Sequence, residues 1–274
     1  MMAARCARLP DGRLHLQHGP IDVLIECWGE RAEVEAAYRQ ASARFGTVLD
    51  ELVAELPGLR SPVNGAYPAF GGSVARRMGA AVWPHRQNFI TPMAAVAGSV
   101  ADELMQALLD ERSLRKACVN DGGDIALHLA PGERISIGIV DDPRRPRIDA
   151  DVRVRAEDRV RGVATSGWRG RSQSLGIADA VTVLAHTAAA ADAAATLIAN
   201  AVNVDHRSIL RRPAREVKED SDLGELPVTV AVGALPEQHV TEALEGGLAA
   251  VRRMKRAGLL ECAYLSLQGR VAAC

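Results

Sequence analysis

Four polar side chains share one face of a helix that is otherwise built from small and aliphatic residues. They follow one another at i, i+4, i+8 and i+11, as Asp192, Thr196, Asn200 and Asn203. At 3.6 residues per turn, that spacing stacks them along one side of the helix. The first two offer a carboxylate and a hydroxyl one turn apart. Such oxygen ligands suit Mg²⁺, which usually sits between one or two carboxylates and substrate phosphates.

The helix itself sets a requirement for this polar stripe. Every residue between the polar positions is Ala, Leu, Ile or Val, so the helix is expected to be buried. Thr187 is the expected N-cap, directly after a strand at Ala180–Ala185. Buried polar groups need partners, which leaves protein backbone, water, or a ligand with a cation. From spacing alone, a stripe satisfied by the protein is favoured over a metal–phosphate site.

Two turns add further groups that could bind a ligand. Asn120–Asp124 (NDGGD) joins strands predicted at Lys116–Val119 and Ile125–Leu129. A hairpin explains its glycines, although the two Asp and the Asn would also form a polar rim, and local grounds favour the turn. Thr165–Gly167 supplies hydroxyls and an open backbone that suit a phosphate or the edge of a ring.

Composition excludes several classes of function. The 274 residues include 33 basic and 34 acidic side chains, so there is no basic field to hold nucleic acid. No apolar run reaches membrane-spanning length, and the basic start of the chain lacks a secretory apolar region. We therefore expect a cytoplasmic protein with no membrane or nucleic-acid partner. A Walker loop, a GxGxxG motif and a GxSxG elbow are all absent from the sequence.

The cysteines are scattered and form no CxxC pair. This argues against a zinc site or a disulfide scaffold and fits a reducing compartment. Cys118, inside an apolar run, is expected to be a small core residue. The five cysteines are Cys6, Cys27, Cys118, Cys262 and Cys274.

Hydrophobic periodicity predicts an α+β fold in which consecutive hairpins form an antiparallel sheet with helices on one side. The chain, 1–274, is expected to be one domain or two intimate lobes. Asp205–Glu225 is predicted to hold a short helix and a mobile loop. The further strands are predicted at Arg13–Leu16, Ile21–Cys27, Arg134–Val140, Ile148–Arg155, Pro227–Val232 and Leu259–Leu267. The further helices are predicted at Glu30–Leu56, Gly72–Val82, Thr91–Asp110 and Gln238–Ala257.

The order of motifs resembles the ApbE-like superfamily, whose characterised members are FAD:protein FMN transferases. The motifs are PMAAVAGSVAD, VNDGGDI, ATSG, DAVTVLA and ADAAAT, and they span Ile90–Val204. The chain looks closest to the shorter, poorly characterised branch of that superfamily. The resemblance implies antiparallel sheets with flanking helices. It also implies FAD, or another flavin or nucleotide, across the two turns, and Mg²⁺ at the ADxxAT helix.

The resemblance also assigns residues. For the metal it implies the carbonyl of Ala191 together with Asp192 and Thr196. For the cofactor it implies Gly98, Asp102, Gly122, Gly123, Asp124, Thr165, Ser166 and Gly167. The catalytic group is unknown, and the candidates are Arg171, Asp179 and His186.

Two departures from the transferase pattern affect the chemistry. Ala97 stands where the transferases carry a lysine, and GRSQSLGIADA replaces their histidine-containing segment. Arg171 stands where the shorter branch usually has histidine. The ligand-binding motifs are therefore retained, while the group that would activate an acceptor hydroxyl is unidentified.

Three functions follow as hypotheses. The first is a Mg²⁺-dependent enzyme that acts at a pyrophosphate such as that of FAD, by FMN transfer or by cleavage. The second is a non-catalytic module that holds a flavin, nucleotide or pterin-like compound. The third is a structural or assembly protein in which the Asp192 stripe caps backbone groups. Expected partners are a small-molecule ligand, an acceptor protein in the transferase case, and further copies of the chain, since its Ala-rich helices could pack together.

Overall fold

The computed structural model describes residues 3–142, 144–145, 147–170 and 172–274. Its largest element is a nine-stranded antiparallel sheet. Within these residues the strands are β1 (Arg5–Arg8), β2 (Leu14–His18), β3 (Ile21–Gly29), β4 (Leu114–Asp121), β5 (Asp124–Leu129), β6 (Arg134–Ile139), β7 (Ala150–Arg155), β8 (Gly162–Ser166), β9 (Ala180–Ala185), β10 (Ile209–Pro213), β11 (Pro227–Val232), β12 (Cys262–Leu267) and β13 (Arg270–Ala273). The large sheet runs in the order β1-β2-β3-β4-β5-β8-β9-β12-β13, and every neighbouring pair is antiparallel.

Helices cover one face of this sheet. The helices of the described residues are α1 (Arg31–Ala54), α2 (Leu56–Leu59), α3 (Ser73–Val82), α4 (Val96–Leu109), α5 (Ala188–Ala201), α6 (Ala214–Val217) and α7 (Glu237–Arg256), of which α6 contacts β10 outside the large sheet. Two 3₁₀ turns lie at Trp83–His85 and Pro92–Ala95. Helix α4 contacts α1 on one side and α5 on the other, and α5 in turn contacts α7. None of the helices in the described part of the chain is both long and apolar enough to cross a membrane.

Side chains that alternate between the two faces of the large sheet contribute to two hydrophobic cores, one on each face. Ala126 and Ala164 point to the helix side, where they join clusters that include α4 and α5. Their neighbours Ile125 and Val163 point to the opposite face, where they join a smaller cluster with the β6–β7 hairpin. This is the period-two pattern of a strand that is covered on both faces. The middle of the sheet is therefore covered by helices on one side and by a hairpin on the other.

The structure confirms the predicted α+β class and most of the predicted elements. The hairpin of β2 and β3, the β4–β5 hairpin and the strand–helix pair of β9 and α5 lie where the sequence placed them. Helix α7 continues through the Gly246-Gly247 pair. A side chain at Gly247 would lie 2.6 Å from Leu265, so glycine lets α7 approach β12 closely.

Five details of the predicted elements were wrong. Thr165 and Ser166, which were predicted to lie in a turn, belong to strand β8 and pair with β9. The predicted Thr91–Asp110 helix is a 3₁₀ turn at Pro92–Ala95 followed by α4, and the Thr91 hydroxyl donates to Asp222. Strands β6 and β7 form a separate two-stranded sheet. The Asp205–Glu225 segment contains β10 as well as α6, and β10 pairs with β11. A turn after β12 returns the chain as β13.

Two glycines with opposite surroundings test how closely β8 and α5 are packed. A Cβ at Gly162 would overlap the backbone of Thr187 and Ala188, whereas a Cβ at Gly46 in α1 meets nothing within 4 Å. We expect Gly162→Ala to lower the free energy of unfolding by about 1–3 kcal/mol through overpacking. Gly46→Ala should raise it by up to about 1 kcal/mol. Urea unfolding measures both, and equal effects of the two substitutions would contradict this packing.

Candidate functional site

Helices α4 and α5 cap each other's N-termini. On α4, the N–H of Gly98 donates to Asp192 Oδ2 of α5 at 3.0 Å. On α5, the N–H groups of Ala188 and Ala189 donate to the two carboxylate oxygens of Asp102 of α4, at 3.0 and 2.9 Å. The first N–H groups of a helix have no partner within the helix, and a carboxylate there also interacts favourably with the helix dipole. Each helix thus supplies the acid that the other needs.

Glycine at position 98 makes this exchange geometrically feasible. A Cβ there would overlap the Ala188 carbonyl and would lie 2.7 Å from the Ala189 nitrogen. The start of α5 is completed by Thr187, whose Oγ1 accepts from Ala190 N at 3.1 Å, as the sequence predicted. Gly98 therefore has a packing role in addition to any contact with a ligand.

The structure places Asp102 apart from the glycine turn. Besides capping α5, it borders a cavity of about 290 Å³ that is also lined by His85 and His186. Burial raises the pKa of Asp102, and the two backbone N–H donors counteract that rise. Because both carboxylate oxygens accept backbone hydrogen bonds, Asp102 acts here as a helix cap.

Most of the predicted cofactor residues do come together, around a cavity of about 480 Å³. It lies between the β6–β7 hairpin and the ends of β5, β8 and β9. Its lining includes Gly122, Gly123, Asp124, Thr165, Ser166 and Gly167, together with Ala97 from the first turn of α4. Two segments that are separated by about forty positions in the sequence thus form one wall, as the resemblance implied.

Hydrogen bonds fix the Gly122-Gly123 turn and hold it beside the end of β8. Gly122 and Gly123 have φ values of 65° and 115°, which glycine adopts without strain. Asn120 Oδ1 accepts from Gly123 N at 2.8 Å, and Asp124 Oδ1 accepts from Thr165 N at 3.3 Å. The second of these bonds ties the glycine turn to the end of β8. Both predictions for this turn are compatible: it is a tight hairpin turn, and it also lines a cavity.

Backbone groups satisfy much of the polar stripe on α5. Asn200 Oδ1 accepts from Leu175 N at 2.9 Å, and Asn203 Nδ2 donates to Leu175 O at 3.2 Å. Asp192 receives Gly98 N, as described above. Thr196 and Asn200 also line a separate cavity of about 240 Å³, and of these two only Asn200 has a backbone partner given above. The prediction of a stripe satisfied by the protein therefore holds for three of its four members.

The cavity beside Thr196 adjoins the larger one, since Ser172 lines both. Its outer wall is the segment Lys218–Leu223, which is anchored by polar contacts at three points. Arg60 pairs with Asp220 at 3.0 Å. Gln173 accepts from the Ser221 hydroxyl, and Asp222 accepts from the Thr91 hydroxyl.

Carboxylates crowd around Asp192. The residue keeps a small accessible surface, but protein atoms surround its carboxylate closely. This burial raises the pKa of Asp192 well above its usual value, and the negative charges of Asp124 and Asp121 raise it further. Its hydrogen bond from Gly98 acts in the opposite direction. Like charges in a poorly solvated place favour a proton or a cation among them.

The donor set suits a hard cation only in part. The oxygen atoms of Asp192, Asp124 and Thr196 are of the type that Mg²⁺ prefers. Ala191 is fully buried beside Asp192. No group of three or more His, Cys, Asp or Glu side chains is arranged to hold a metal among the residues described here. Any cation would therefore need oxygens from water or from a ligand to complete its coordination.

The two catalytic candidates that the structure describes, Asp179 and His186, line different cavities. Arg171 lies outside the described residues. Asp179 lines the larger cavity, but Oδ1 accepts from Arg169 Nε at 2.5 Å and Trp168 Nε1 at 3.2 Å, while Oδ2 accepts from Gln268 N at 2.6 Å. His186 borders the Asp102 cavity instead.

Sequence reasoning missed other residues of the larger cavity. Asp141, which no motif singled out, lines it and accepts from Ser266 Oγ at 2.6 Å and from Tyr264 Oη at 3.2 Å. Burial raises the pKa of Tyr264 to about 12, and the Asp141 charge contributes. Thr182 Oγ1 lies 2.8 Å from Thr165 Oγ1 across β8 and β9. The alternation of β12 could have indicated that Tyr264 and Ser266 share one face.

Comparison with known proteins adds an independent finding. A family model described as AbpE bacteria matches residues 6–273. A UPF0280 protein of Methanopyrus kandleri is 36% identical over 145 residues, which cover 52% of this chain and 56% of the relative. Another UPF0280 protein, of Archaeoglobus fulgidus, is 34% identical over 132 residues, covering 48% and 52%. The chain thus spans about half the length of the curated relatives it matches.

Two solved structures are similar at low identity. An ApbE protein from Thermotoga maritima is 14% identical, with a TM-score of 0.48 and coverage of 98% of this chain and 96% of that one. The flavinyl transferase ApbE of Pseudomonas stutzeri, in its apo form, is 13% identical, with a TM-score of 0.44 and coverage of 100% and 95%.

The capping role of Asp102 predicts a loss of stability on substitution. Asp102→Ala should lower the free energy of unfolding by about 0.5–2 kcal/mol, the range for loss of a helix cap. Asp50→Ala, on an exposed position of α1, is the matched control and should change little. Chemical denaturation of the two variants checks this. A protein that tolerates Asp102→Ala as well as the control would show that the α4–α5 capping is energetically unimportant.

Proposed function

The chain belongs to the AbpE bacteria family, which confirms its place in the ApbE-like superfamily. We propose that it binds a pyrophosphate-containing flavin or nucleotide together with Mg²⁺. FAD is the ligand that fits this proposal best. The proposed action is at the pyrophosphate, by transfer of FMN or by cleavage. An acceptor protein and assembly into a homo-oligomer stay predictions.

The observation that carries the proposal is the pair of adjoining cavities. A dinucleotide has two ring systems joined by a pyrophosphate, so it needs an elongated site with distinct ends. The cavities of about 480 and 240 Å³ share Ser172 and together offer such a shape. The larger presents the Gly122-Gly123 turn and the hydroxyls of Thr165 and Ser166. The smaller presents Thr196, one helical turn beyond Asp192.

Helix α5 would hold the metal between these two cavities. Asp192, Thr196 and the Ala191 carbonyl are the proposed protein ligands, and Asp124 adds negative charge nearby. Mg²⁺ usually keeps several waters and takes substrate phosphate oxygens, which matches a site that the protein completes only in part. Bound there, it would neutralise charge on the pyrophosphate, which is the main requirement of phosphoryl transfer.

A second function, ligand binding without turnover, is favoured by the occupied hydrogen bonds of Asp179. A general base must reach the proton that it removes. Asp179 already accepts from three donors, and His186 belongs to another cavity. Ala97, at the position of the transferase lysine, lines the larger cavity and contributes no charge. A binding module would need the residues that line the cavities, but it would need neither a general base nor the transferase lysine.

Metal-dependent ligand binding is the first prediction of the proposed function. FAD with Mg²⁺ should raise the melting temperature more than FAD alone or Mg²⁺ alone, because ligand and protein share the coordination. At a hundredfold excess over Kd the stabilisation is about 2.7 kcal/mol. Thermal shift assays with FAD, FMN and ADP, each with Mg²⁺ or with EDTA, measure it.

Two variants serve as the comparison for this binding assay. Asp192→Asn retains an acceptor for Gly98 N but loses the negative charge. When the melting temperature of this variant with FAD is compared with that of the same variant without ligand, Mg²⁺ should add no further rise. Asp50→Asn should keep the full shift. A shift that is equal with and without Mg²⁺, or that survives in Asp192→Asn, would count against the metal site.

Release of AMP from FAD separates the enzyme from the binding module. Hydrolysis of FAD releases AMP with water as the acceptor, whereas FMN transfer releases AMP only when an acceptor hydroxyl is present, so FAD is incubated both without and with a heat-treated cell extract as a source of acceptor proteins. If the chain is an enzyme, AMP should accumulate with Mg²⁺, and Asp192→Ala should reduce its rate by at least about 100-fold, the scale of one lost transition-state contact. Full activity in Asp192→Ala would refute the enzyme hypothesis in this form. Binding of FAD by the wild type with no AMP release in either incubation would identify the module.

A further inference from the structure

Two cysteines that are distant in sequence meet at one edge of the sheet. Cys262 opens β12, and Cys274 follows β13, which is the edge strand beside it. The last strand pair places Tyr264 opposite Ala273, and Cys274 N then donates to Ala263 O at 3.2 Å. As a result, the two sulfur atoms lie 3.6 Å apart. This is close to van der Waals contact between sulfurs, in a strand pair that already holds the backbone in place.

The surroundings make this pair accessible. Cys274 is exposed and Cys262 is half-buried. Lys255 Nζ lies 3.9 Å from the Cys274 sulfur and brings a positive charge beside it. Positive charge and partial exposure are the environment in which thiols react.

The other cysteines lack one or another of these properties. Burial raises the pKa of Cys27 and of Cys118 to about 12, which suppresses the reactive thiolate. Cys6 is exposed, but it lies on β1 at the opposite edge of the sheet. Burial also raises the pKa of Cys262, but its sulfur lies beside that of an exposed cysteine, Cys274, which can react first.

We propose that Cys262 and Cys274 form a dithiol that low-molecular-weight disulfides oxidise reversibly to an intramolecular disulfide. The modification site is separate from the flavin cavity and does not depend on the proposed function. Closing the bond requires the sulfurs to approach to about 2.05 Å. The bond would covalently join β13 to β12.

The reaction balances by two thiol–disulfide exchanges. The Cys274 thiolate attacks one sulfur of an oxidised compound such as glutathione disulfide, which forms a mixed disulfide and releases one glutathione thiolate. The Cys262 thiol then loses its proton and attacks the Cys274 sulfur, which releases the second glutathione thiolate. The two protons from the cysteines pass to the two departing thiolates. Two protein thiols are oxidised, and one glutathione disulfide is reduced.

Intact-mass spectrometry of the full chain tests this modification. After incubation with glutathione disulfide, the wild type should become lighter by two hydrogen atoms. Protease fragments containing Cys262 and Cys274 should be linked, and dithiothreitol should reverse both changes. Oxidation should also raise the melting temperature, because the bond restricts the unfolded chain.

Single substitutions provide the matched controls. Cys6→Ser removes an exposed thiol of the same sheet and should leave the mass change and the melting-temperature shift intact. Cys262→Ser and Cys274→Ser should each abolish the loss of two hydrogen atoms and the rise in melting temperature. Each variant should instead accumulate a stable mixed disulfide at its remaining cysteine of the pair. A wild type that stops at mixed disulfides, or that links other cysteines, would overturn the proposal. Phenylarsine oxide, which bridges two neighbouring thiols, should bind the wild type and neither of these two single variants.

Discussion

The reciprocal capping of α4 and α5 is the interaction on which the rest of the site depends. Asp102 holds the start of α5, Asp192 holds the start of α4, and Gly98 lets the two backbones approach. The exchange fixes Ala97 at the wall of the larger cavity. It also brings the Asp192 carboxylate near Asp124, against electrostatic repulsion. The same contact therefore stabilises two helices and creates the local excess of negative charge.

The sheet contributes the second half of the site through its alternation. On the helix side of β8 and β9, small and aliphatic residues such as Ala164 and Val183 pack against α5. On the other side, Thr165 and Thr182 face one another beneath the β6–β7 hairpin. A strand with two covered faces can thus be apolar towards one layer and polar towards the other. This arrangement places hydroxyls in a cavity without interrupting the core.

Local features of the fold could be predicted from sequence, and long-range partners could not. The Thr187 cap, the Gly122-Gly123 turn and the α5 stripe each depend on residues a few positions apart, so their spacing was informative. Asp102 shows the limit: its partners are 86 and 87 positions away. Without alignment of related chains, nothing in the spacing distinguishes such a cap from a ligand-binding acid.

Other non-local features were hidden for the same reason. Strand β10 lies in a charged segment and exists because β11 pairs with it, so its own composition predicted a loop. The sharing of Ser172 by two cavities depends on segments that are distant in the sequence, since Thr196 lines one cavity and Gly122 the other. The resemblance to a known superfamily indicated what periodicity could not, namely that the Gly122-Gly123 turn and Thr165–Gly167 lie side by side. Both segments line the larger cavity.

A crystal structure of the protein with FAD and Mg²⁺ would test the central claim most directly. The account predicts flavin and adenosine density divided between the two cavities that share Ser172, with the metal bound by Asp192, Thr196 and oxygens of the pyrophosphate. Density in the cavity of Asp102 and His186 would contradict it. So would a bound nucleotide whose phosphates lie away from α5, because the Asp192 carboxylate would then serve only as the cap of α4.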